Sequence, residues 1–204
     1  MRLPIAAALA LGLLAAPALA QDAAAPQAPA AERAATPDVA LPLDAEIRQV
    51  STEVLQGVLY DLASLQHNVH QAHWNVQGIE YAQLHEFYEE LYEALFGFID
   101  QAAERKLQLG MPADNRPGAV AETARIAAIE PGYLGDEESL AILVEDYARM
   151  SGILYDGIEA TGDDLVTQDL LISFAYTIDQ HFWQLRAHLH LDLDAEGGDG
   201  TATR

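Results

Sequence analysis

The stretch that decides the fold runs from Tyr81 to Leu109 and reads YAQLHEFYEELYEALFGFIDQAAERKLQL. Its apolar residues recur at intervals of three and four, the period of an amphipathic helix, and no proline interrupts them. Gly110 follows immediately and Pro112 comes shortly afterwards, which is the usual signal for the end of a helix. The pattern therefore predicts one long helix over this stretch.

Three other segments, residues 44–76, 136–160 and 163–193, show the same helical period. A weaker helical patch at residues 120–129 lies in the long connection before the third helix, and no stretch alternates in the manner of a strand. The sequence thus predicts an all-α, ferritin-like four-helix bundle whose long crossover carries a short extra helix. The stripe predicted to face the core in the first segment comprises Ile47, Val50, Val54, Val58, Leu62, Leu65 and Val69.

The chain is strongly acidic, since its 204 residues carry 32 Asp and Glu against 10 Lys and Arg, a formal net charge of −22. Half of the residues are apolar, which is the composition of a globular chain. DNA is a poor partner for such a surface, because binding phosphates requires clustered Lys and Arg, and Lys106 is the sole lysine. Cysteine is absent, which excludes disulfides, thiolate zinc sites, iron–sulfur clusters and cysteine nucleophiles.

The two ends of the sequence differ in composition from its middle. Residues 1–20 combine a positive start, a short apolar run and an Ala-x-Ala ending, which predicts a cleavable secretory signal peptide, with an uncleaved anchor as the alternative. Residues 21–43 are expected to form an Ala/Pro-rich flexible linker and residues 193–204 a flexible acidic, Gly-rich tail, leaving 44–192 for the bundle. We expect a periplasmic or secreted protein, with no stable membrane insertion once the signal is removed.

Residues with metal-ligand chemistry are concentrated on the predicted helix 81–109. His85 and Glu89 form one pair four residues apart, and Asp100 and Glu104 form another. Both pairs lie on one helix face, because Glu89 and Asp100 are separated by about three full turns. The same separation is roughly 16 Å along the helix axis, so one helix cannot close all four groups around a single metal ion.

A two-fold axis would bring the two pairs together, because they are symmetric about the middle of the helix. In two antiparallel copies, His85 faces Glu104 of the second copy, and Glu89 faces Asp100, so that an isologous dimer carries two identical sites. One histidine with several carboxylates favours iron or manganese over structural zinc. Charged residues at this spacing also line ordinary solvated helix faces, and spacing alone leaves both interpretations open.

Motifs in the first two helices resemble those of the Dps mini-ferritin family. They are Gln71-Ala72-His73-Trp74-Asn75-Val76-x-Gly78, Leu84-His85-x3-Glu89 and Asp100-x2-Ala103-Glu104-Arg105-x3-Leu109-Gly110. The resemblance spans residues 44–192 and implies a hollow homo-oligomer, a dodecamer in that family. It also implies a ferroxidase that oxidises Fe²⁺ to Fe³⁺, with hydrogen peroxide preferred over dioxygen, stores ferric mineral and protects against oxidative stress. A non-catalytic acidic shell that only sequesters metal, without binding DNA, is the alternative.

The resemblance also assigns the catalytic and iron-binding residues. In the family, the histidines that match His73 and His85 bind iron from one subunit, together with the carboxylate at the position of Glu89. The carboxylates that match Asp100 and Glu104 reach in from the two-fold partner, which agrees with the antiparallel arrangement inferred from the spacing.

At several positions near the proposed site, the sequence leaves the role of the side chain open. Glu89 stands where the family usually has aspartate, so its arm is one methylene longer and the spacing of the bound iron is open. Trp74 matches the family tryptophan near the site and is either an electron donor or a residue that packs a helix end. His67 and His70 are either part of an access path for iron or a polar helix end.

Acidic residues at the start of the fourth helix coincide with the acidic three-fold pores of the family. They are Asp163, Asp164 and Asp169, and helix capping is the alternative role for the first two. The remaining histidines match no family motif, namely His181, His188 and His190.

Overall fold

The computed structural model describes residues 40–189, which form five α-helices and one pair of short strands. The elements are α1 (Ala45–Asn75), β1 (Val76–Gln77), α2 (Tyr81–Gln108), α3 (Pro117–Thr123), β2 (Leu134–Gly135), α4 (Asp136–Ala160) and α5 (Leu165–His188). Helices α1, α2, α4 and α5 form the predicted four-helix bundle, and α3 is the extra helix of the crossover. The predicted signal peptide, the tail and all of the linker before residue 40 lie outside the described residues. Within that described part, no helix combines the length and apolar character that a bilayer span requires.

The helices pack as two pairs, α1 with α2 and α4 with α5, which meet mainly where α1 lies against α4. Short turns connect the helices within each pair, so the members of a pair are antiparallel. The crossover runs the length of the bundle, because it leaves the far end of α2 and returns to the turn that follows α1. There β1 and β2 pair in parallel, with Val76 opposite Leu134. The sequence did not predict these strands, since two residues are too few to show an alternating pattern.

The predicted core stripe of α1 is confirmed in the middle and C-terminal part of the helix. Val58, Leu62, Leu65 and Val69 are buried, whereas Val50 is 45% exposed. At the N-terminal end the buried face of the helix contains Ser51 and Leu55 instead, so Val50 lies at the edge of this face. Residues from the other helices complete the core, and its largest fully buried side chains are Tyr88, Tyr147 and Phe174.

The helix ends follow local rules that the sequence contains. Gly110 has φ +89°, a left-handed conformation that suits glycine and ends α2 where predicted. Pro117 stands in the first turn of α3 and starts this helix three residues earlier than the apolar pattern indicated. At the start of α4, the Gly135 N–H donates to Glu138 Oε2 at 3.4 Å. Leu41 and Leu43, at the end of the predicted linker, pack against the core.

Three buried polar side chains on one face of α1 fasten the crossover to the bundle. The Asp61 carboxylate accepts from the backbone N–H of Arg125 at 2.6 Å and from its guanidinium. Ser64 donates to the carbonyl of Ile126 at 2.7 Å. The Asn68 amide donates to one crossover carbonyl at 2.8 Å and accepts from a crossover N–H at 3.1 Å. We call Asp61, Ser64 and Asn68 the crossover latch.

Candidate metal centre

The tight turn between α1 and α2 brings His73 and His85 together. The turn includes Gly78, at which a Cβ atom would lie 2.0 Å from the Asp136 carboxylate, so only glycine fits there. The two imidazole rings are stacked, with centroids 3.8 Å apart and planes inclined by 17°. The His73 ring is buried and the His85 ring is half-buried. The structure therefore places two of the predicted ligands side by side at one end of the bundle.

Reciprocal hydrogen bonds fix the orientation of both rings. His73 Nδ1 lies 2.7 Å from the backbone carbonyl of His85, and His85 Nδ1 lies 2.8 Å from the backbone carbonyl of His73. A carbonyl oxygen only accepts, so each Nδ1 donates its proton, and Nε2 is the ring nitrogen left to bind a metal ion. This arrangement is typical of metal-binding histidines, in which a hydrogen bond at one nitrogen orients the other toward the metal.

Glu89 follows His85 by one turn of α2 and exposes its carboxylate on the same face. Its Oε1 accepts a hydrogen bond of 3.2 Å from the hydroxyl of Tyr92. Partial burial and this hydrogen bond raise the pKa of Tyr92, so the phenol keeps its proton. The Tyr92 ring also lies edge-on to His73, with centroids 5.3 Å apart. The motifs in the sequence do not single out Tyr92, although its position two turns after His85 places it on the ligand face.

Asp100 and Glu104 lie near the other end of α2, and both are exposed. The structure of one chain does not bring them to the histidines. Within residues 40–189, no three His, Asp or Glu side chains lie close enough together to hold a metal ion. Their contribution from a second subunit therefore stays a prediction.

Aromatic rings surround the paired histidines. Trp74 is 60% exposed and stacks on His70, with centroids 4.6 Å apart and planes inclined by 13°. Trp74 thus lies on the surface of the subunit beside the site and is not buried in the bundle. Burial, followed by the nearby His73 and His67, lowers the pKa of His70. His67 itself is exposed.

The remaining described histidines contact other parts of the bundle. The ring of His181 lies edge-on to Tyr147 at 6.0 Å, and burial lowers the pKa of His181. The ring of His188 is 5.4 Å from that of Phe87, and its Nδ1 is 3.9 Å from a Glu80 oxygen. His190 lies outside the described residues.

The structure decides between the two interpretations of Asp164 at the start of α5. It is only 1% exposed, caps α5 by accepting from the Thr167 N–H at 3.2 Å, and pairs with Arg105 at 2.9 Å. Burial opposes its ionisation, but the Thr167 hydrogen bonds and the Arg105 charge lower the pKa of Asp164 overall. The capping interpretation is therefore the correct one for Asp164, while Asp163 and Asp169 are exposed.

The Arg105–Asp164 pair also has a consequence for the site. It ties the C-terminal part of α2 to the start of α5, directly beside Glu104 in the sequence. A buried pair of this kind is costly to break, because the remaining charge is left without a partner. The exposed ligand face of α2 is therefore presented by a firmly anchored helix.

Comparison with known proteins agrees with the four-helix fold and identifies relatives of the chain. A ferritin-like domain matches residues 52–193. The DNA protection during starvation protein 2 of Bacillus anthracis is 34% identical, over 68% of this chain and 95% of its own. The protein of the same name from Deinococcus radiodurans is 31% identical over 68% of this chain, but the match spans only 58% of that protein.

Solved structures show the same relationship. The crystal structure of Dps92 from Deinococcus radiodurans is 31% identical, with a TM-score of 0.69 over 71% of this chain and 88% of that one. A Dps protein from Vibrio cholerae, described as a member of a broad superfamily of ferritin-like diiron-carboxylate proteins, is 26% identical with a TM-score of 0.70. That alignment covers 77% of this chain and 99% of the Vibrio chain.

Proposed function

Because the chain belongs to the Dps mini-ferritin family within the ferritin-like proteins, we propose that it is a ferroxidase and iron store. It oxidises Fe²⁺ to Fe³⁺, preferably with hydrogen peroxide, at sites shared between two subunits, and collects ferric mineral inside a hollow homo-oligomer of twelve subunits. The observation that carries this proposal is the pair of stacked histidines, whose Nδ1 atoms are both held by backbone carbonyls.

The donor set of the proposed site fits iron as the substrate. His73 and His85 offer two imidazole Nε2 atoms, and Glu89 offers a carboxylate from the same subunit. Asp100 and Glu104 of the two-fold partner add two further carboxylates. Imidazole with oxygen ligands suits iron, and negative oxygens stabilise Fe³⁺ more than Fe²⁺, which favours loss of the electron.

The reaction removes two hazardous reagents together. Two Fe²⁺ ions give one electron each to hydrogen peroxide, whose O–O bond breaks to yield two hydroxide ions. Peroxide that is reduced in this way does not form hydroxyl radicals with free Fe²⁺. This chemistry is the basis of the proposed protection against oxidative stress.

The surface charge and the N-terminal sequence support the remaining parts of the proposal. The net charge of −22 attracts cations and repels phosphates, so duplex DNA is not a partner of this shell. The signal-like residues 1–20 support the proposal of a periplasmic or secreted protein.

The double variant Asp100→Asn with Glu104→Gln tests the proposed site. Removal of two direct ligands should slow the oxidation of Fe²⁺ by peroxide at least about 100-fold, beyond the usual effect of losing residues that only orient ligands. Stopped-flow absorbance of the ferric product, with peroxide or with air as oxidant, measures the rate. Size-exclusion chromatography checks that the oligomer is intact.

The matched control is Asp156→Asn with Glu159→Gln, which removes the same charge from exposed positions of α4. It should oxidise iron at the wild-type rate. Wild-type kinetics in the Asp100 and Glu104 variant would contradict the proposal.

The alternative function is a shell that sequesters metal without catalysis. It predicts iron binding with no consumption of peroxide by the wild-type protein. Glu89 in place of aspartate is the feature that favours this alternative.

A further inference from the structure

Two metal-ligating side chains that the proposed iron site does not use lie side by side where α5 ends. The Nδ1 atom of His188, the last residue of α5, is 3.9 Å from Oε2 of Glu80, which stands in the turn between α1 and α2. Both side chains remain partly exposed, so an ion in solution has access to them. An imidazole and a carboxylate are therefore available for a further metal ion at this end of the bundle.

Both of these residues are held in place by their neighbours. The backbone N–H of Glu80 donates to Oδ2 of Asp136 at 3.2 Å, which ties the turn to the start of α4. The His188 ring lies 5.4 Å from the ring of Phe87, with planes inclined by 30°. A pair of ligands that is already in place loses less conformational freedom when it binds an ion, which favours binding.

The distance between the two ligand atoms suits a shared ion better than a hydrogen bond. A hydrogen bond between nitrogen and oxygen requires about 2.9 Å, which is roughly 1 Å shorter than the observed separation. Two ligand atoms of a tetrahedral zinc ion stand about 3.3 Å apart, because each lies about 2.0 Å from the metal. A shift of roughly 0.5 Å, which the partly exposed Glu80 side chain can make, brings the pair to this spacing.

The sequence supplies a second imidazole within reach of the same ion. His190 follows two positions after His188 and lies outside the described residues. Two residues of chain span at most about 7 Å in any backbone conformation, so the two imidazoles can meet at one ion. Ligand residues continue at alternate positions with Asp192 and Asp194, and a leucine separates each from the one before. The pair at the end of α5 therefore has a third candidate ligand.

We propose that Glu80, His188 and His190 bind a divalent transition-metal ion, and that zinc is the ion that suits them best. Two imidazoles and one carboxylate form a tetrahedral zinc site with the fourth position left for water. This site belongs to a single subunit, whereas the proposed iron site is shared between two, and it does not depend on the proposed function. The bound ion links the chain that follows α5 to the turn between α1 and α2.

Equilibrium dialysis of the full chain against Zn²⁺, followed by metal analysis, tests this site. The variants Glu80→Gln, His188→Gln and His190→Gln each remove one proposed ligand. Each should bind one zinc ion fewer per subunit at micromolar free zinc, because the loss of a direct ligand should weaken binding at least about 10-fold. Asp100→Asn with Glu104→Gln identifies any zinc held at the proposed iron site, and its loss should add to that of His188→Gln.

Hydrogen exchange provides a second readout, since zinc should slow exchange over residues 78–82 in the wild type but not in His188→Gln. Glu137→Gln is the matched control, because Glu137 is exposed in the first turn of α4 and belongs to neither site. It should bind as much zinc as the wild type. Unchanged zinc binding in any one of the three ligand variants would overturn this inference. The proposed function is tested separately, because it depends on Fe²⁺ oxidation and not on zinc binding.

Discussion

At the scale of single residues, the sequence nominated side chains for the site, and the structure shows how two of them, His73 and His85, are held. The spacing on α2 and the motif around His73 pointed to the histidines that the structure brings together. Their reciprocal hydrogen bonds to backbone carbonyls depend on the exact path of the turn between α1 and α2, which no residue pattern contains. Asp164 was open to two interpretations for a similar reason, because its partner Arg105 is 59 positions away.

Asp146 provides a prediction about pH. Burial raises the pKa of Asp146 to about 6, and a hydrogen bond from Asn68 only partly offsets this effect. The ordinary value is about 3.9, so between about pH 4 and 6 the folded chain binds more protons than the unfolded one, and stability falls as the pH rises. Asp146→Asn keeps an acceptor for Asn68 without a buried charge. It should raise the thermal unfolding temperature near neutral pH and remove this part of the pH dependence.

Calorimetry at a series of pH values measures this effect. The matched control is Asp156→Asn, since Asp156 is exposed on the same helix and should leave the pH dependence as it is. An Asp146→Asn protein that unfolds at a lower temperature than the wild type near neutral pH would show that the charge of Asp146 is stabilising.

At the scale of elements, the helices were predictable because their apolar periods are long. α4 spans the predicted residues 136–160, and α1 differs from its prediction by one residue at each end. The elements of the crossover were predicted less well. The short helix begins three residues and ends six residues earlier than expected, and the chain beyond it is held by long-range hydrogen bonds to α1, which local periodicity does not encode.

The crossover latch gives a prediction at this scale. Asn68 is 1% exposed, and its amide makes hydrogen bonds to two crossover backbone groups and to Asp146. Asn68→Ala leaves these partners unsatisfied and should lower the free energy of unfolding by roughly 2–4 kcal/mol. Denaturant unfolding measures the change, and hydrogen exchange should be faster over residues 124–134.

Gln49→Ala serves as the control for the latch, because Gln49 is exposed and its amide bonds only to Glu53 of its own helix. Its effect should stay below about 0.5 kcal/mol. Equal effects of the two substitutions would mean that the latch does not hold the crossover.

At the scale of the whole molecule, the proposed assembly explains why α2 carries acidic residues on an exposed face. Asp100 and Glu104 are exposed in a single chain; Asp100 stands roughly 16 Å along α2 from Glu89, and Glu104 lies about one turn farther away. In the proposed dimer, a two-fold partner would place its own Asp100 and Glu104 opposite the histidines, and the proposed site would then be a property of the assembly. The symmetry of the two pairs predicts which ligands face each other across the axis. The side-chain contacts that would hold the two subunits together cannot be predicted from the pattern of a single chain.

Mixed oligomers test the shared site most directly. One subunit carries His73→Ala with His85→Ala, the other carries Asp100→Asn with Glu104→Gln, and each alone should be inactive. In a mixed dimer, one site receives both defects and the other none. Random assembly of equal amounts should therefore restore about one quarter of the wild-type rate of Fe²⁺ oxidation. Native mass spectrometry confirms the mixed composition, and mixed shells that remain as inactive as either parent would contradict a site shared between subunits.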